Sequence, residues 1–224
     1  VRVVAAKDIP AQPTLEMDFP DERVCRTRYL DIDALPKLVQ KIRERLARKR
    51  GAGADNVSDA APIKVTAGGA LGGNSTGALG KLLFWYHQIV AFPDLRVGWL
   101  PCAVGGGRKF LGSWRPDIVF ASAPPFTTLF VGRALARRLS VPWVAEYRDR
   151  WIEDNYETLA PWRLWVERRM ENRLLRGVSG IVTVSEPWAA DYRRRLDKPV
   201  TVVTNGFDPA EFPEDFDRGA SDPS

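Results

Sequence analysis

The sequence predicts an α/β domain, a parallel sheet with helices on both faces, and three observations predict it. Short apolar runs at residues 117–121, 143–147, 180–184 and 200–203 lack polar alternation, the pattern of strands buried on both sides. Segments of helical length and pattern separate them, at 124–139, 161–176 and 187–196. Strands alternating with helices in this way form βαβ units, whose right-handed crossovers lay the helices on the sheet.

The elements follow in chain order. Residues 1–6 open the sequence as a strand. Leu35, Leu38, Val39, Ile42 and Leu46 recur at helical spacing and predict a helix over 35–50. Its other face is basic, with Lys41, Arg43, Arg45, Arg48, Lys49 and Arg50. Residues 51–80 hold 8 of the 18 glycines and many small polar residues, which predicts a mobile insertion. Helices resume over 79–92 and 103–113. After the strand at 117–121, Pro124 and Pro125 suit a first helical turn, where no N–H is needed, and Ser122 suits its cap. Over 161–176, Trp162, Trp165, Val166, Met170 and Leu174 share one side and are expected to face the core. The eight tryptophans as a group read mainly as packing residues. The domain is expected to span 1–212, with 213–224 beginning a polar linker or tail.

Composition narrows the function. At 45% hydrophobic and 27% charged residues, the chain has the make-up of a globular protein. No apolar run approaches the length of a membrane span. The two cysteines, Cys25 and Cys102, form no CxxC pair, and His87 is the single histidine. Zinc sites built on His or Cys clusters and a Ser-His-Asp triad are thereby disfavoured, and no metal site is expected. Few cysteines suit a reducing, cytoplasmic setting. The net charge of +5 suits contact with phosphates, nucleic acid or an anionic membrane.

In an open parallel sheet, ligands gather at the carboxyl ends of the strands. Four segments lie there. Ser122-Ala123-Pro124-Pro125 ends one strand at a helix start, where free N–H groups attract phosphate or sugar oxygens. Glu146-Tyr147-Arg148-Asp149-Arg150-Trp151 ends the next. Carboxylates accept from sugar hydroxyls, arginines pair with anions, and aromatic faces cover sugar rings. Ser185-Glu186-Pro187 repeats the hydroxyl-then-proline arrangement, with Ser185 as a helix cap. Thr204-Asn205-Gly206-Phe207-Asp208 reads as a turn suited to a hinge. The candidate cleft residues are Ser122, Pro124, Glu146, Arg148, Asp149, Trp151, Ser185 and Glu186, with Asn205 and Gly206 at the hinge. No residue is singled out as catalytic. Gly105-Gly106-Gly107-Arg108-Lys109 lacks the spacing of a phosphate loop after a strand.

From about residue 115 to 212 the chain resembles the N-terminal domain of GT-B glycosyltransferases of the family-4-like group. The resemblance rests on residues 116–125, on 141–149, on Glu167-Arg168-Arg169, on 181–186, and on the turn at 200–208. It implies one Rossmann-like half of a two-domain enzyme. That half holds a sugar, glycan, lipid-linked or wall-precursor acceptor, and a C-terminal domain holds the sugar nucleotide donor. It implies no bound metal or cofactor in this half, and no turnover by this half alone. Thr204 and Phe207 depart from the family turn, which has Pro and Val there. The family's first strand and its glycine-rich loop have no counterpart, since residues 1–6 match the second strand. A central strand is thus expected to be missing, leaving a gap in the sheet.

Three rival readings accompany this one: half of a sugar-nucleotide epimerase, a non-catalytic carbohydrate- or partner-binding module of the same fold, and a nucleic-acid binder. The last is set aside because no nucleic-acid motif is present. The basic surface of 41–50 and the insertion could also make peripheral contact with an anionic membrane, at its inner face, but a solvated helix face is the plainer reading of those residues.

Overall fold

The computed structural model describes residues 1–7, 20–32, 41, 64–65, 71–72, 85–86, 89–90, 92–152 and 161–206. The expected helix over 35–50, the insertion, most of 79–92 and the tail lie outside these residues, apart from the positions just given. Strand β1 (Val3–Ala6) pairs in parallel with β2 (Val24–Thr27), in register Val3 to Val24. A two-residue antiparallel pair, β3 (Lys64–Val65) and β4 (Leu71–Gly72), lies within the glycine-rich segment.

Helix α1 (Leu100–Leu111) follows a 3-10 turn over Val97–Trp99. The main sheet then forms in one direction: β5 (Val119–Ala123), helix α2 (Thr127–Leu139), β6 (Trp143–Tyr147), helix α3 (Pro161–Leu175), β7 (Gly180–Thr183), helix α4 (Glu186–Arg195) and β8 (Val200–Val202). The order β5-β6-β7-β8 is parallel throughout. One-way progression with crossovers of one hand puts α2, α3 and α4 on the same face. That face carries Ala121, Ala123, Trp143, Ala145, Tyr147 and Ile181, which join Leu129, Leu174, Leu175 and Tyr192 in one buried cluster.

The glycine run at 105–107 lies inside α1 and serves packing. A Cβ on Gly106 would stand 2.4 Å from the Thr27 Cγ2, and one on Gly107 would meet Val4 and Leu135 at 3.3–3.4 Å. Small residues here let α1 bridge from the β1–β2 pair to α2. A second apolar cluster forms at this joint, with Trp99, Ala103, Val104, Val131 and Leu135 against Val4 and Ala6.

Among the described residues, the β1–β2 pair and the β5–β8 sheet are not joined into one sheet. Lys7 N–H donates to Thr27 O on one side, so alternation turns the backbone groups of Val4 and Ala6 away from β2. Val119 N–H donates to Pro142 O, and Ala123 O accepts from Arg148 N–H. The backbone groups of Phe120 and Ser122 therefore point away from β6. Among the described residues no strand pairs with either free edge. Between the edges lies a cavity of about 590 Å³, floored by Val131, Gly132, Leu135 and Leu139 of α2.

Candidate functional site

The four predicted segments stand side by side at the carboxyl edge of β5–β8. The register pairs Ser122 with Glu146 and Glu146 with Val182. Strand alternation puts these residues on the face opposite α2–α4. Ser122 and Glu146 are thus adjacent, half-buried polar groups at the top of that face. One step beyond, Arg148 and Asp149 are exposed, as are Pro124, Glu186, Asn205 and Gly206. Phe207 and Asp208 lie outside the described residues.

Two sequence readings need correction. Ser122 does not cap the next helix, because it lies within β5, and α2 begins only at Thr127. Pro124 and Pro125 belong to the connection, not to the first turn. The cap comes from Asp94, far back in the chain. Its carboxylate accepts from Thr127 N–H at 2.7 Å, from the Thr127 hydroxyl at 2.8 Å and from Arg96 N–H at 2.7 Å. Asp94 precedes a turn and carries no local cap signal for α2, so only the fold reveals its role.

Trp151 is likewise no ligand platform. It is 1% exposed, stacks on Phe126 at 5.2 Å and meets Phe130 edge-on at 5.8 Å. A ring this buried, and already stacked on Phe126, cannot cover a sugar. Arg150 turns inward too, donating to Asp191 of α4 at 3.2 Å. The charged run after β6 therefore divides: Glu146, Arg148 and Asp149 face outward, while Arg150 and Trp151 anchor the loop.

Ser185 occupies the N-cap position of α4 with extended backbone angles, but its side chain makes no capping bond. The Ser185 carbonyl accepts from Ala189 N–H at 3.1 Å, which leaves the half-buried hydroxyl at the edge. Glu186 pairs with Arg193, which also donates to Val200 O at 3.0 Å.

Beneath the edge, charged groups brace the helices. Arg195 bonds Glu171 at 3.1 Å and Asp191 at 3.0 Å, and the Tyr192 hydroxyl donates to Glu171 at 3.4 Å. Burial pushes Glu171 above its ordinary value, against the pull of Arg195. Burial, then the nearby Glu171 charge, raises both the Tyr147 and Tyr192 phenols, so both stay protonated. Partial burial acts upward on Asp191, yet Arg194, Arg195 and Arg150 together bring it below its ordinary value. A second pair, Arg163 to Glu167 at 2.8 Å, is wholly buried beside Trp151 and beneath Phe92. These interactions tie α3 to α4 and to the loop after β6; Arg163, Glu167 and Glu171 are buried, whereas Arg195 and Asp191 are partly exposed.

The arrangement matches a known family profile. The profile of Glycosyltransferase Family 4 covers residues 70–211, from β4 through β8 and every candidate site residue. The chain belongs to glycosyltransferase family 4. No curated protein matches it. The Rossmann-like α/β architecture is that of a glycosyltransferase half-domain. Glu167, part of the Glu-Arg-Arg stretch that resembles the family, is buried in its pair with Arg163, whereas Arg168 and Arg169 are exposed. Among the described residues no His, Cys, Asp and Glu side chains gather as a metal site requires, and no helix is long and apolar enough to cross a membrane.

Proposed function

We propose that this chain is the acceptor-binding half of a sugar-nucleotide-dependent glycosyltransferase. Family membership supports the reaction class, and one observation supports the acceptor role. The outward polar groups Ser122, Glu146, Arg148, Asp149 and Ser185 line up along a single edge of the sheet. Carboxylates and hydroxyls in such a row suit sugar hydroxyls, and Arg148 suits an acceptor that carries phosphate. Asn205 and Gly206 follow the last strand and would begin the hinge to a second, nucleotide-binding domain. Donor binding and turnover would need that second domain.

A glycan array that includes sugar phosphates tests the acceptor role. The chain should retain a restricted set of glycans, and Arg148→Ala combined with Asp149→Ala should release them. Retention of the same set by the double variant would contradict the assignment. So would steady-state sugar transfer by the 224-residue chain alone.

A further inference from the structure

The loop after β6 carries Arg148 and Asp149, two exposed members of the candidate row, and it is pinned at both ends. At its start, Arg148 N–H donates to Ala123 O at 2.9 Å, which ties the loop to the end of β5. At its far end, Trp151 packs on Phe126 and Phe130. Between these, the Arg150 guanidinium reaches Asp191 of α4 at 3.2 Å. The two side chains are 19% and 23% exposed. A pair so shielded is screened less and holds its geometry better than an exposed one.

Asp191 is itself held from behind. Arg194 donates to it at 3.1 Å, and Arg195 pairs with it at 3.0 Å. Arg195 also pairs with Glu171 of α3 at 3.1 Å. Helix α3 is turned so that this link is possible: Glu171 is buried on its inner side, while Trp162 and Trp165 are 41% and 61% exposed. The contacts therefore run from the loop through α4 to α3. Helix α4 is also the one that begins at Ser185 and Glu186. A bond from Arg150 to Asp191 thus sets the loop against a second part of the candidate row. Charged side chains on a short loop weaken binding when they must be ordered at the moment of contact. Anchoring the loop beforehand removes part of that cost.

We propose that Asp191 is a positioning residue: by holding Arg150 it keeps Arg148 and Asp149 at the spacing from Ser185 and Glu186 that an acceptor meets. The inference rests on the acceptor reading, and Asp191 acts through the loop rather than on the acceptor.

A double-mutant cycle between Asp191 and Arg150 tests it. Two readouts serve: the glycan array over a protein dilution series, and amide hydrogen exchange of the free chain. Asp191→Ala and Arg150→Ala should each raise the concentration needed for half-retention about tenfold, the order expected when one or two side chains are ordered only on binding. The double variant should lose no more than either single one, because all three remove the same link. Asp191→Asn, which keeps the size of the side chain and one acceptor oxygen, should fall between wild type and Asp191→Ala. Exchange of the Arg148 amide should quicken in both alanine variants. Arg194→Ala removes a partner of the same carboxylate that is 76% exposed, and it should change neither readout. Additive losses in the cycle, an equal loss from Arg194→Ala, or unchanged exchange at Arg148 would each overturn the proposal. So would a lowered melting temperature with undiminished retention, which is the mark of a purely structural role. If the wild-type chain retains no glycan, the acceptor reading fails, while quickened Arg148 exchange in Asp191→Ala would still show that Asp191 holds the loop.

Discussion

Replacing Arg163 by Met removes one half of a buried ion pair and keeps most of the packing against Phe92. The pair is 2.8 Å long, and its side chains are 3% and 1% exposed. Opposite unit charges about 4 Å apart attract by about 4 kcal/mol at an effective dielectric of 20. Stranding the Glu167 carboxylate should accordingly cost about 3–5 kcal/mol, a large share of a domain's stability. Arg163→Met with Glu167→Leu removes both charges and should recover most of that loss, since replacing a buried pair by apolar residues is often neutral or stabilising. Urea unfolding followed by tryptophan fluorescence reads the cycle, with an unchanged denaturant slope expected. The single variant also has a pH signature. Burial already pushes Glu167 above its ordinary 4.5, and Arg163 is the main influence holding it down. Without Arg163 the carboxyl protonates at higher pH, so the loss should shrink as pH falls. A loss below about 1 kcal/mol, or one independent of pH, would show that water reaches the pair and would refute the reasoning.

Further predictions concern packing, capping and titration. Gly106→Ala drives a Cβ into Thr27, which is held by the Trp99 indole N–H at 2.8 Å; overpacking of about 1–3 kcal/mol should outweigh the helix gain of about 1 kcal/mol. Gly105→Ala meets nothing within 4 Å and should instead raise thermal stability, by about 0.5–1 kcal/mol. Asp94→Ala removes the cap of α2 and should cost about 1–2 kcal/mol in chemical unfolding. Glu167 and Glu171 are both raised by burial. Each therefore favours folding most when protonated, below its ordinary 4.5, and that contribution is lost as pH rises through the folded value. Asp191, held low by its arginines, does the opposite and loses its contribution as pH falls below 3.8. The melting temperature should fall as pH rises above about 4.5 from the two glutamates, and Glu167→Gln should flatten part of that slope.

The main sheet was readable because its strands are continuous apolar runs. The strand over Trp143–Tyr147 lies where periodicity puts it, and β5 begins only two residues later than expected. Strand β2 went unread, because Val24–Thr27 mixes Cys, Arg and Thr with a single valine. The face of α3 was misread for a physical reason. Trp162, Trp165 and Met170 recur at helical spacing and suggest a buried side, while pattern rules place charges outside. Arg163 and Glu167 neutralise each other, and Glu171 is met by Arg195 and Tyr192. Arg163 and Glu167 stand at the i,i+4 spacing that exposed helix faces also use, and the Glu171 partners lie well downstream, so neither signal marks the charged side as the inner one. The edge position of Glu146, Arg148 and Asp149 was legible from strand boundaries alone. The inward turn of Arg150 and Trp151 depended on Asp191, Phe126 and Phe130, which only the tertiary fold brings near.

Amide shift mapping of the 224-residue chain tests the central claim most directly, with a glycan retained on the array and UDP-glucose as the two probes. The acceptor-half account predicts that the glycan shifts residues 122–125, 146–149, 185–186 and 204–206, and that UDP-glucose leaves them unmoved. Shifts at those residues with UDP-glucose, or glycan shifts confined to other surfaces, would contradict it.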